Sequence, residues 1–161
     1  MTKDLGFTIV KLLIVIVAVA ALATLAIVIH NNNQNHTKTT SAQLIVSTVL
    51  EKAQAYNAER ASYPISFTIL TGAASTATYR LTGVTSVASL TNTSPTNNIK
   101  FEVCGSRAPA LANLTAITAS NVTGVRVSYR DYAKGSNATL LAGATSSSAI
   151  ACFDSTGDAI K

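Results

Sequence analysis

Gly6 to Ile29 read GFTIVKLLIVIVAVAALATLAIVI, and this run decides the architecture of the chain. From Leu12 to Ile29 it carries no charge, no Gly and no Pro, and Thr24 is the one polar side chain. A helix rises about 1.5 Å per residue and the hydrocarbon core of a bilayer is about 30 Å thick, so the run comes close to a full span. Adding Phe7 to Val10 makes it long enough, with Lys11 reaching back along its aliphatic stem toward the cytoplasmic headgroups. Lys3 and Lys11 precede the run against a single acid, Asp4, which favours an N-terminus kept inside. The first expectation is therefore a single-pass membrane helix.

Beyond Ile29 the character changes abruptly to His30-Asn31-Asn32-Asn33-Gln34-Asn35-His36-Thr37-Lys38-Thr39-Thr40. Asn and Thr are weak helix formers, so the stretch fits a loop, a frayed helix or a helix held by its neighbours. Helical spacing then returns: Ala42, Ile45, Val46, Val49, Ala53 and Tyr56 recur at intervals of three and four and form an apolar stripe. Pro64 predicts an end before Tyr63, because proline disfavours helix in the residue ahead of it. Past that point the pattern turns to strands. Thr78–Thr82, Ile99–Cys104, Val125–Arg130 and Ala149–Phe153 are the candidates, with a turn at Asp154–Asp158. Gly83 to Asn98 and Ala133 to Ser148 show little periodicity and read as exposed loops. The predicted fold is α+β: a long hydrophobic N-terminal helix packed through its C-terminal half on a small antiparallel sheet. The domain reading is 1–6 leader, 7–29 apolar helix, 30–62 polar stretch and amphipathic helix, and 63–161 globular head.

Composition narrows function. At 161 residues the chain holds one domain plus an anchor. Only 12% of residues are charged, which suits an exported, surface-exposed domain better than a metabolic enzyme. The net charge of +5 suits anionic surfaces without indicating nucleic acid. Cys104 and Cys152 read as one disulfide in an exported head, the alternative being two buried thiols. His30 and His36 are not at metal spacing and have no acid or Cys beside them. No phosphate loop, nucleophile elbow or paired-acid motif is found, so no catalytic residue, cofactor or metal is expected. Arg126, Arg130 and Lys134, interleaved with Tyr129 and Tyr132, suggest a single-stranded DNA contact. A solvated sheet face, with Asp131 offsetting part of the charge, is the preferred reading of the same residues. Asn35, Asn92, Asn113, Asn121 and Asn137 begin Asn-x-Ser/Thr triplets, which report no more than potential glycosylation.

The leader MTKDLG, the Gly6-Phe7-Thr8 junction and the Leu12-Leu13-Ile14-Val15 helix resemble the type IV pilin family, pseudopilins included. The resemblance implies that a prepilin peptidase cuts between Gly6 and Phe7, that Phe7 becomes the N-terminus and is methylated, and that the helix is retained. A Sec signal peptide, by contrast, is cut beyond its apolar region. The family usually places Glu at the fifth residue after the cut, where it pairs with a neighbouring subunit's terminal amine; this chain has Lys11 there. The family's helix-breaking Gly and Pro are replaced by Ala20 and Val28.

The implied function is a non-enzymatic subunit of an extracellular filament, or pilus, held in the membrane before assembly. Phe7, Lys11, Leu12, Leu13, Val17, Leu22 and Leu25 would then make subunit contacts in the filament. The implied partners are copies of the chain, other pilins, the prepilin peptidase and the assembly machinery. Adhesion, surface motility and DNA uptake are the tasks the family performs. Two other readings share parts of the pattern. A secretion-system pseudopilin has the same N-terminus. A secreted binding domain is suggested by the small-x-small sites Ala18-Val19-Ala20 and Ala21-Leu22-Ala23.

Overall fold

In the computed structural model, which describes residues 4–94, 96–106, 122–143 and 150–154, helix α1 runs Asp4–Arg60. The polar stretch after Ile29 is thus helical. Within it, the Thr37 hydroxyl donates to the Asn33 carbonyl at 2.9 Å, and Gln34 Nε2 lies 2.7 Å from His30 Nε2. Ala61, with φ 53°, ends the helix in the left-handed region, and Tyr63-Pro64 follows as the sequence predicts. The chain forms two compact units, Met1–Thr37 and Lys38–Lys161. The amphipathic part of α1 therefore belongs with the head.

A short helix, α2 (Phe67–Thr71), is capped by the Ser66 hydroxyl, which accepts from the Thr68 N–H. The strands are β1 (Thr85–Ser86), β2 (Asn98–Ser106), β3 (Val122–Asp131), β4 (Ser136–Gly143) and β5 (Ile150–Asp154). The sheet order is β1-β2-β3-β4, with β5 also paired to β2. β1 runs parallel to β2 while the other pairings are antiparallel, so the sheet is mixed rather than purely antiparallel.

The core joins the predicted helical stripe to alternate strand residues. Ala42, Val46, Val49 and Ala53 of α1 pack with Leu70, Ile99, Phe101, Val103, Val125 and Val127. The Phe67 and Phe101 rings meet at 5.5 Å between centroids. Each fully buried Val, Leu or Phe contributes about 1.5–3 kcal/mol, which makes this helix–sheet seam the main stabilising element of the head.

Three expectations are corrected. Thr78–Thr82 is not a strand: Tyr79 packs edge-on against Tyr56 at 5.0 Å, and the Leu81 N–H donates to Leu70 O at 2.9 Å, so the segment is held by the helices. Ala133–Ser148 is not all loop, because β4 lies inside it, pairing with β3 from Asp131↔Ser136 to Gly124↔Gly143. Gly83–Asn98 likewise contains β1, and Leu90 within it is buried. The Asp154–Asp158 turn beyond Asp154, the triplets at Asn113 and Asn121, the leader residues 1–3 and the side chains of Phe7 and Leu25 lie outside the described residues.

Candidate functional site

The two parts of α1 meet opposite environments. Leu12 and Leu22 are 66% and 67% exposed, whereas Val46 and Val49 of the same helix are 0% exposed. Ile9, Val10, Leu13, Ile14, Val15, Ile16, Val17, Val19, Ile27 and Ile29 are exposed too. The most apolar window has a mean hydropathy of 3.2, making this one helix long and apolar enough to cross a membrane. At about 25 cal/mol per Å², such a surface is stable only against lipid or against other apolar protein. The predicted contact residues Leu12, Leu13, Val17 and Leu22 all lie on it, and Lys11 is exposed beside them. Gly6 falls within the helix.

Cys104 and Cys152 are disulfide-bonded across directly opposed positions of β2 and β5, both buried. Beside them the sheet holds an ionic cluster. Glu102, 2% exposed, faces Arg126 in register, with an ion pair to its Nε, and takes a second from Lys100 Nζ at 3.0 Å. Unpaired, a carboxylate so buried would be strongly unfavourable; here two cations compensate it.

At the β3–β4 turn, Asp131 is buried and its Oδ1 accepts from the Ala133 N–H, the Lys134 N–H and the Thr39 hydroxyl, each at 3.1 Å. Burial works against the charged carboxylate. The bonds from Lys134, Thr39 and Ala133, with the Lys134 charge, outweigh it and hold Asp131 below the ordinary carboxylate range. Gly135, at φ 68°, closes the turn by donating to Asp131 O at 2.8 Å. This knot ties α1 to the hairpin.

The proposed nucleic-acid residues are therefore dispersed in role. Arg126 is paired with Glu102, and Arg130 donates to Gly135 O and to Asn137 Oδ1 at 3.3 Å. Tyr129 is buried in the core, with its hydroxyl accepting from Gln43 Nε2 at 3.0 Å. Lys134 keeps an exposed side chain, and the Tyr132 hydroxyl donates to Ser94 O. His30 and His36 are exposed on α1. An open groove of about 490 Å³ is lined by Ser66, Phe67, Thr68, Thr71, Val84, Thr85 and Ser86, none of them titratable at ordinary pH.

Sequence reasoning did not single out Glu102 or the Thr39–Asp131 knot. Asp131 with Gly135 four positions on was a readable turn signal, whereas the Glu102–Arg126 pairing needed the strand register. No protein-family model matches this chain, and comparison with curated proteins and with solved structures finds no match.

Proposed function

We propose that this chain is a type IV pilin-like structural subunit, stored in the membrane through α1 and assembled into an extracellular filament. The observation that carries the reading is the set of exposed apolar side chains described between Ile9 and Ile29, on the same helix whose later turns build a disulfide-bonded α+β head. The Gly6-Phe7-Thr8 junction supplies the link to this family rather than to a generic anchor. In the bilayer, lipid covers the apolar surface. On extraction, helices of neighbouring copies replace the lipid, and area removed from water, at about 25 cal/mol per Å², makes the filament core cohesive. The head, with its buried ionic cluster and disulfide, would form the outer layer. Nothing in this scheme requires catalysis, so the subunit acts by binding and assembly.

Intact-mass and N-terminal peptide analysis of membrane and sheared surface fractions tests the proposal. A chain beginning at Phe7, with or without N-methylation, is expected. A start near Ala21 or Thr24 would replace it with a secreted binding domain, and an intact Met1 would leave an uncleaved membrane protein. Deletion separates pilin from pseudopilin: loss of surface filaments supports the first, and loss of protein secretion supports the second.

A further inference from the structure

The two edges of the head's sheet are finished differently. On one side β2 is covered by the two residues of β1 and by β5, which the Cys104–Cys152 disulfide fastens to it. On the other side β4 is the last strand, and among the described residues no strand pairs with its outer edge. Which backbone groups that edge presents follows from alternation along each strand. The Thr85 N–H donates to Asn97 O at 3.1 Å and the Val87 N–H to Ile99 O at 2.7 Å, so Ile99 turns its backbone groups to β1, and Lys100 and Glu102 turn theirs to β3. Register then directs Ser128 and Arg126 to β2, Val127 and Tyr129 to β4, and Leu140 and Ala138 back to β3. Asn137, Thr139 and Leu141 are left with N–H and C=O pointing outward, and Gly143, at φ 78°, ends the regular edge. Native sheets blunt a free edge with Lys, Pro, a bulge or a very short strand. Ser136–Gly143 has none of these: it is eight residues long, carries no charge and no Pro, and pairs with β3 without a register shift. Leu141, 50% exposed, is the one large apolar side chain that the described strands leave in solvent.

We infer that β4 is a self-recognition edge, pairing antiparallel with β4 of a second copy of this chain about a two-fold axis at Thr139. In that register Thr139 faces Thr139, and Asn137 faces Leu141 on both sides of the axis, so the three outward-turned residues of each copy find backbone partners in the other. What favours a second copy as the occupant is charge. The chain carries +5, so two copies repel one another overall, yet β4 itself has no ionisable residue. Arg126 and Arg130 stand one strand behind it, and Arg126 is neutralised by Glu102. In the pair, three inter-strand spacings separate the two β3 rows, roughly 14 Å, beyond the Debye length at physiological salt. Lys134, at the hairpin turn, falls at opposite ends of the antiparallel pair. Opposed threonines are a favourable cross-strand pair, and the arrangement is isologous, so it closes at two copies. A short strip of backbone bonds is a weak contact by the standard of stable dimers. It uses the head alone and does not depend on where the N-terminus is cut.

The test uses the full chain in detergent with one cysteine added per variant, Cys104 and Cys152 being already bonded to each other. Opposed hydrogen-bonded positions stand about 5.5 Å apart at Cα, within disulfide range. Thr139→Cys is expected to form a covalent dimer on mild oxidation about tenfold or more faster than Ser89→Cys, an exposed loop position, because pairing raises the local thiol concentration. Asn137→Cys and Leu141→Cys should each remain slow alone and cross-link rapidly when mixed. Adding Thr139→Lys to both partners of that mixture sets like charges across the axis and should slow it about two- to fivefold. Thr139→Lys in one partner and Thr139→Glu in the other should restore the rate, with the circular dichroism unchanged throughout. Equal rates for Thr139→Cys and Ser89→Cys would overturn the edge pairing. Rapid cross-linking at all four positions without regard to register would overturn it too, and would leave association through the apolar helix standing.

Discussion

Glu102 and Asp131 are both buried acids, and they are stabilised by different means. Glu102 depends on charge, since Lys100 and Arg126 flank it. Removing one partner of a buried pair generally costs about 3–5 kcal/mol. Arg126→Ala should cost less, about 2–3 kcal/mol, because Lys100 still holds the carboxylate; thermal melts of the detergent-solubilised chain measure the loss. Asp131 depends on hydrogen bonds from Thr39, Ala133 and Lys134. Its pKa is lowered in the folded state, so its stabilisation is present above the ordinary carboxylate pKa and is lost as pH falls through the folded value. The melting temperature of the native chain should accordingly drop in acid below about pH 4. Asp131→Asn should lower it at neutral pH and flatten that acid dependence. Asp131 and Lys134 were legible as residues, but the convergence of Asp131 with Thr39, distant in sequence, was not.

Among the elements, β4 shows how a weak pattern is rescued by its partners. Ser136–Gly143 reads SNATLLAG, poor in β-branched residues, yet it pairs along its full length with β3. Ala138, Leu140 and Ala142 alternate toward the core, a period-two signal muted because two of the three are Ala. Its end depends on Gly143, at φ 78°, where an added Cβ would lie 2.5 Å from Thr123 O and 2.7 Å from the Tyr63 ring. Left-handed strain and overpacking act together there, so Gly143→Ala should destabilise the head by about 3 kcal/mol, seen as a fall in the denaturation midpoint. The opposite case is Thr78–Thr82, which has strand-like residues and no ladder. Tyr79 finds Tyr56 and the Leu81 N–H finds Leu70 O, so packing against helices replaces strand pairing. In α1, the Asn- and Thr-rich turns stay helical although their propensities are weak.

For the whole molecule, the contrast along α1 matters most: apolar side chains left bare at the described positions between Ile9 and Ile29, and a stripe from Ala42 to Ala53 sealed under a sheet. Under the proposed function, the bare part passes from lipid to neighbouring subunits. Lys11 stands where the family's Glu would meet a neighbour's terminal amine, and a like-charge contact there is several times costlier in low dielectric than in water. Lys11→Glu should leave membrane insertion intact and raise incorporation into sheared surface filaments, as quantified by immunoblot of the two fractions. Unchanged incorporation would show that Lys11 lies away from any contact that governs assembly.

By itself the sequence determined the apolar helix, the amphipathic stripe that follows it, the helix end ahead of Tyr63-Pro64 and the strands at Ile99–Cys104 and Val125–Arg130. Each of these is set by local periodicity or by steric rules acting over a few residues. Tertiary structure alone decided the parallel β1 edge, the β4 strand, the Glu102–Arg126 pairing and the Thr39–Asp131 knot. These depend on register and on contacts between residues far apart in the chain, such as Thr39 and Asp131, 92 positions apart. No short window of sequence encodes such a contact, because its energy exists only once the helix and the sheet have been brought together.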